Sequence, residues 1–398
     1  MLKTIETFPE EHQAKRKVLL DAVDSISDIL EEQGPKNEAN QTLTPETVKA
    51  IRDAGLFRLK LAHQWGGAEA DPVTQMEVLE KLAYYDLSSA WCTMVGPTAI
   101  AALGTFLPEE GVNQVFKNEH TPTAAISFYP AGTLTPEGDG YRVNGRWRFC
   151  SGIPHAEWVC GSGIVQNGSN GDGPPEVVFV SFPTSEVIIY DNWGPIMGLQ
   201  GTGSCDWSVE NYYLPKERTF VWDLMNPEPL RGGPLYNLPP FAFVANEHGS
   251  VSLGAARRVL DELAKMATST RGEFRSSSLD TRPVIHRLIG EADLKLRSAR
   301  AFLFNRYEEL WQKVSGGEKA SPQDVAEVRG AAVYATHVAA EIGTLGFRYG
   351  GGGALFQPNI FERSLRDLHA ATQHQVMSDT AYENHGKFLL GLEADPMA

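Results

Sequence analysis

The chain has 398 residues, with 50 Asp and Glu against 35 Lys and Arg, a formal charge of −15 at pH 7. That balance argues against a nucleic-acid or anionic-membrane partner, because either needs a basic face. A 42% hydrophobic and 21% charged composition is that of a folded protein, and the length predicts two or three packed units.

No Lys/Arg cluster reverses the charge locally. No run of about 18 apolar residues reads as a membrane span, and the polar N-terminus MLKTIETFPEEHQAKRK lacks an apolar signal core. A cytoplasmic location is expected. Cys92, Cys150, Cys160 and Cys205 form no C-x-x-C pair, so they read as reduced packing residues, with no metal site and no disulfide framework.

In chain order, Leu19, Ala22, Val23, Ile26, Ile29 and Leu30 follow helical spacing between Ala14 and Gly34, and Thr44-Pro45 reads as an N-cap with a first-turn proline. Helical pattern continues over Val73–Tyr85 and Ala90–Leu103. From about Thr121 to Phe220 short alternating runs are broken by Gly, Pro, Asn and Asp. Asn144-Gly145 in YRVNGRWRF predicts a hairpin, and EVVFVSF and SEVIIYDNW predict further strands. After the linker PEPLRGGPLYNLPP, an apolar stripe from Ile285 to Leu310 predicts a long bundle helix. Ser321-Pro322-Gln323-Asp324 predicts a capping box that opens a helix to about Phe347. The domains expected are a helical unit over 1–120, a β unit over 121–225 and a helical bundle over 226–398.

The last helix is expected to carry RSLRDLHAATQH, Arg363 to His374. His369 and His374 are five apart, roughly 140° around a helix, so they do not form the paired zinc ligands of a protease. No G-x-S-x-G elbow is present, and GLQGTGS lacks the following helix that a phosphate loop needs.

The segments HQWGGAEADP, LAYYDLSSAW, YRVNGRWRFCSGIPHAEW, GPIMGLQGTGSCDWSVENYYLP and GGGALFQPNIFERSLRDLHAA follow one another in this order. With them the chain resembles the acyl-CoA dehydrogenase superfamily of flavoproteins. FCSGIPHAEW and RDLHAATQH resemble more closely its two-component flavin-dependent monooxygenases. The resemblance implies an α+β fold with an N-terminal helical domain, a central β-barrel and a C-terminal four-helix bundle. It implies a reaction of reduced flavin (FADH2 or FMNH2) with O2 through a C4a-hydroperoxide, a separate NAD(P)H:flavin reductase, and a homotetramer.

Residue by residue, the resemblance places Ser151 and His374 at flavin N5 as the catalytic pair. It gives Trp147 and Phe149 as walls of the isoalloxazine, Gly201, Thr202, Gly203 and Ser204 as a loop near it, and Gly351 and Gly352 as further cofactor contacts. Arg271 corresponds to a residue that holds the adenine half of FAD in a neighbouring subunit.

Many acyl-CoA dehydrogenases carry a catalytic glutamate nine residues after the Arg matching Arg366; here that position is Gln375, whose amide is no base. An FAD-dependent acyl-CoA dehydrogenase is the alternative, with Glu247 near the base of another branch, although Glu247 also reads as a solvated or helix-capping carboxylate. A phenol hydroxylase is the second alternative. Phenol-hydroxylating relatives place a histidine where this chain has Thr98. The resemblance therefore implies an electron-rich aromatic substrate, with indole to 3-hydroxyindole the best fit, in a pocket of Trp91, Thr98, Tyr129 and Gln375.

Overall fold

The computed structural model describes residues 4–117, 120–166, 175–269 and 279–394. Each of the first four α-helices starts on a side-chain cap. α1 (His12–Ala39) follows Glu11, which accepts from the Gln13 and Ala14 amides. α2 (Pro45–Asp53) follows Thr44, which accepts from Thr47 N–H. Asp71 caps α3 (Pro72–Tyr85) and Asp86 caps α4 (Leu87–Phe106), before the short α5 (Glu109–Val115). α4 is apolar on all sides, with a mean hydropathy of 1.2 over a length that spans a membrane, yet 94% of that window is buried inside the protein. It is a central core helix.

The strands are β1 (Ala124–Glu137), β2 (Gly140–Cys150), β3 (Trp158–Val165), β4 (Val177–Pro183), β5 (Ile188–Ile189), β6 (Cys205–Pro215) and β7 (Thr219–Phe220). They form one mixed sheet in the order β5-β6-β2-β1-β3-β4-β7, parallel only between β1 and β3. The sheet is open, which corrects the expected barrel. Its two edges, β5 and β7, are two residues each and pair only inward, so the backbone groups needed to close a barrel are missing.

The expected hairpin at Asn144-Gly145 is also corrected. β2 runs straight through that dipeptide, and the β1–β2 turn lies between Glu137 and Gly140. Asn144 Oδ1 accepts from Asn211 N–H across a register shift at 2.7 Å, so the dipeptide makes a bulge against β6 instead of a turn. At Gly145 a Cβ would lie 2.5 Å from the Trp147 ring. Trp147 and Trp207, opposed across β2 and β6, stack at 4.1 Å as the centre of the sheet's own core.

α6 (Pro240–Ser269), α7 (Pro283–Ser315), α8 (Pro322–Tyr349), α9 (Ile360–Ala371) and α10 (Thr380–Leu389) follow. The Ser321–Asp324 capping box forms as expected. α6, α7, α8 and α9 pack on one another, α6 also packs against α3, α10 lies on α8, and one apolar cluster unites the helices of both ends of the chain. The close approach depends on Gly254, where a Cβ would lie 1.9 Å from the carbonyl oxygen of Glu80 on α3. Gly254→Ala should therefore destabilise the protein by about 1–3 kcal/mol or more. Gly290→Ala on α7, where a Cβ meets nothing, should be neutral or stabilising by up to about 1 kcal/mol. Thermal denaturation of the two variants beside the parent checks both signs.

Candidate active site

Ser151 follows the end of β2 and is buried. Its Oγ accepts from Trp91 Nε1 at 3.1 Å and lies 2.7 Å from Ser204 Oγ, which lies 2.7 Å from Thr202 Oγ1; Thr202 Oγ1 in turn donates to the Leu199 carbonyl at 2.8 Å. A carbonyl only accepts, so the single Thr202 proton is committed there. Ser204 must then donate to Thr202, and Ser151 to Ser204. Ser151 is left as an acceptor, with one lone pair taken by Trp91 and one free.

Leu199 is held in turn from α9. Its N–H donates to Asp367 Oδ1 at 2.6 Å. Asp367 is buried, and burial raises its pKa to about 7 against the opposing effect of Arg363. The hydroxyl chain of the β unit is thus anchored on the helix that precedes His374.

His374 is not on that helix, contrary to expectation. α9 ends at Ala371, Thr372 Oγ1 bonds back to the His369 carbonyl at 2.7 Å, and His374 caps a 3₁₀ turn over Gln375–Met377. Arg329 of α8, nearly fully buried, holds this turn through the carbonyls of Val376 at 3.0 Å and Gln375 at 3.3 Å. The His374 Nδ1 accepts from Val376 N–H at 3.3 Å, and burial lowers its pKa to about 4. The ring is therefore neutral with its proton on Nε2. His369 bonds Thr344 on α8 at 2.8 Å, away from Ser151's partners.

A third residue that the sequence reading missed completes the group. His248 on α6 lies with its ring centroid 4.2 Å from that of His374 and 5.2 Å from that of Trp91; Trp91 and His374 are 5.6 Å apart, edge to face. The available signal was three adjacent polar residues, Asn246-Glu247-His248, directly after the apolar run PFAFVA that opens α6.

Glu247 is corrected. It is neither solvated nor a cap, being 1% exposed, with Oε2 3.0 Å from Nζ of a fully buried Lys60. Lys60 also donates to Thr98 Oγ1 at 3.1 Å and to the Phe243 carbonyl at 2.8 Å, and Thr98 donates to Glu247 Oε2 at 3.2 Å. Burial pushes the lysine down and the carboxyl up, each toward its neutral form. Thr98 therefore belongs to this buried network, two helical turns along the same face of α4 from Trp91.

Other expectations fare differently. Trp147 has no free face to wall a flavin, since it is wholly buried against Trp207. Phe149 is 66% exposed at φ 58°, edge-on to Trp193. Tyr129 is 66% exposed where β1 is bulged against β3, so it does not line an enclosed pocket. Gly201 and Gly203 are filled by protein: a Cβ would meet Asn37 and Ser88 at 3.0 Å in the first case, and Pro154 and Thr42 at 2.9 Å in the second. The hydroxyls of Thr202 and Ser204 are what that loop brings to Ser151. Gly351 and Gly352 lie open, a Cβ meeting nothing, and Gln375 is exposed. Arg271 lies outside the described residues. No cluster of three or more His, Cys, Asp or Glu able to hold a metal occurs among the described residues, and the four cysteines are free and buried.

A histidine whose pKa is lower in the folded than in the unfolded chain adds stability above about pH 6.5, and this is lost as pH falls toward the folded value of about 4. Asp367 and Glu247, raised to about 7, act in the opposite direction. His374→Asn should therefore lose less thermal stability than the parent between pH 6.5 and 4.5, and the difference between the two curves isolates this one ring. Parallel curves across that window would contradict a neutral His374 held with a depressed pKa.

Two family models match: acyl-CoA dehydrogenase, N-terminal domain, over residues 9–110, and acyl-CoA dehydrogenase, C-terminal domain, over residues 247–379. The chain is 30% identical over 358 residues to an indole-3-acetate monooxygenase of Pseudomonas putida, covering 89% of each. It is 28% identical over 394 residues to the flavin-dependent monooxygenase oxygenase subunit HsaA of Mycobacterium tuberculosis, covering 96% of this chain and 97% of the other. The fold superposes on XiaF from Streptomyces sp., solved with FADH2 and glycerol, with a TM-score of 0.86 at 22% identity over 96% of this chain and 97% of that one. Acceptor serine, neutral histidine and sequence likeness agree, and the chain belongs to the acyl-CoA dehydrogenase family, on its branch of two-component flavin-dependent monooxygenases.

Proposed function

We propose that the chain is the oxygenase component of a two-component system that oxygenates an electron-rich aromatic ring, best an indole. The observation that carries this reading is the direction of the hydroxyl chain. Ser151 has a lone pair to offer and no proton. N5 of reduced flavin bears a hydrogen, whereas N5 of oxidised flavin is itself an acceptor, so the site suits the reduced form. Reduced flavin supplies the two electrons with which O2 is divided between product and water.

Ser151 and His374 are the catalytic pair of this reading. Ser151 accepts from N5–H, and His374 presents a fixed Nε2–H donor beside it. Trp91 locks Ser151 and, with the two histidine rings, keeps bulk water from this corner. Phe149 and Trp193 form the exposed aromatic surface available to a flavin ring. Indole as substrate is supported by the indole-3-acetate monooxygenase relative and by Thr98, a hydroxyl engaged with Lys60 and Glu247 that stands where phenol-hydroxylating relatives place a histidine and cannot itself take a phenol proton. A separate flavin reductase is in keeping with the oxygenase-subunit name of HsaA, and a cytoplasmic location with four reduced cysteines.

The parent should bind reduced flavin at least tenfold tighter than oxidised flavin under anaerobic titration. Ser204→Ala should narrow that ratio, because Ser151 then has a proton to give oxidised N5. With a reductase, indole and air, Ser151→Ala and His374→Ala should divert O2 to H2O2 at the expense of oxygenated product, on the order of 10²-fold in coupling, while His369→Ala does much less. Equal affinity for both flavin states in the parent, with unchanged coupling in both variants, would reject the roles.

A homotetramer is part of the proposal. Leu294 and Phe302 on α7, and Leu389 and Leu390 at the end of α10, are 46% to 75% exposed, more apolar surface than scattered single residues require. Light scattering should give a multiple of the 43.6 kDa chain mass, and a monomer at micromolar concentration would contradict it.

A further inference from the structure

Three consecutive residues of α6 are each buried to 4% exposure or less, and each has one polar atom without a partner: Asn246 Oδ1, Glu247 Oε1 and His248 Nε2. A buried acceptor left unmet costs free energy that a ligand donor can restore. Of the three, only His248 has its ring against both Trp91 and His374, at the corner where Ser151 offers its lone pair. Glu247 is turned by its ion pair toward Lys60 and Thr98.

The tautomer of His248 follows from its other nitrogen. Nδ1 lies 2.9 Å from the Val244 carbonyl, which can only accept, so Nδ1 carries a proton. Burial, aided by His374, holds the ring's pKa well below its ordinary value, so there is no second proton. Nε2 is an acceptor. Of the donors nearby, Trp91 Nε1 is given to Ser151, Lys60 Nζ to Glu247, Thr98 and the Phe243 carbonyl, and His374, although its ring lies 4.2 Å away, makes no hydrogen bond to this nitrogen.

We propose that His248 determines substrate specificity: its Nε2 accepts the ring N–H of a bicyclic nitrogen heteroaromatic, which packs against Trp91 beside His374. The inference rests on the aromatic-oxygenation reading above and adds the atom by which the ring is oriented. An N–H donor at this point fixes which edge of the bicycle faces the oxidant. A bicycle of the same shape with a ring oxygen has nothing to give and leaves Nε2 unmet.

The test is an anaerobic calorimetric titration of the reduced-flavin holoenzyme with indole, 1-methylindole and benzofuran. The parent should bind indole about tenfold or more tighter than either analogue, the loss expected when a buried acceptor goes unpaired. His248→Phe should level the three by weakening indole alone, with flavin affinity unchanged, and His248→Gln, which retains an acceptor oxygen, should recover part of the preference. Equal affinities in the parent, or an undiminished preference in folded His248→Phe, overturn the proposal. Should that variant not fold, the parent series and His248→Gln decide it. Equal oxygenation of indole and benzofuran defeats this inference and leaves the oxygenase reading standing, whereas failure of the parent to bind any of the three bicycles defeats both.

Discussion

One hydrogen bond, from Leu199 N–H to the buried carboxyl of Asp367, joins the two halves of the site. On one side it holds the loop whose Leu199 carbonyl takes the Thr202 proton and so sets the direction of every hydroxyl back to Ser151. On the other it seats α9, whose end delivers His374. Around it the fit is backbone to backbone: a Cβ at Gly198 would lie 2.2 Å from the Arg366 carbonyl oxygen. Arg366, paired with Glu362 at 2.7 Å and Glu38 at 2.5 Å, closes the same junction. If this contact shifted, Ser151 would lose its defined polarity and His374 its position together.

The electrostatics of the site are those of a dry corner built from neutral groups. His248 and His374 face each other at 4.2 Å, a distance at which two imidazolium ions would repel strongly, and burial keeps both uncharged. Their fixed tautomers are complementary in kind: His374 offers a donor at Nε2 and His248 an acceptor at Nε2. Lys60 and Glu247 bring charge near as a pair, and the Arg329 guanidinium stands on the carbonyl side of the His374 turn. The desolvation cost of two buried ions is large and is offset here by mutual contact, two further acceptors for the lysine and one hydroxyl for the carboxylate. That network ties the loop before α3 to α4 and α6, so it also fixes how Trp91 and His248 meet.

Much of the architecture was legible in the chain. Thr44 and Ser321 mark helix starts because an N-cap is a local interaction, read within four residues. The long apolar stripe gave α7 for the same reason. The Asn144-Gly145 hairpin failed because the turn preference of that dipeptide was outweighed by pairing of β2 with β6, where Asn144 instead meets the Asn211 amide. Trp147 was assigned to a cofactor face because alternation tells that a strand has two faces and not which one packs on Trp207. His374 was placed on a helix because the helical pattern around it does not reveal the carbonyl-capping Arg329, 45 residues earlier.

The sequence by itself determined the order of helical and β units and, through contiguous motifs, the family, and that resemblance pointed to Ser151 and His374 as the polar residues of the proposed site. Only the tertiary structure decided that the sheet stays open, that α6 belongs to both ends of the chain, that Ser151 accepts where it has no proton to give, and that His248 stands beside His374 with an unmet nitrogen. Although the Thr202–Leu199 bond that starts the proton chain is local, its effect on Ser151 and the ring contacts depend on residues far apart in sequence, such as Trp91 with Ser151 and Leu199 with Asp367, 60 and 168 positions apart, and no local pattern encodes those meetings.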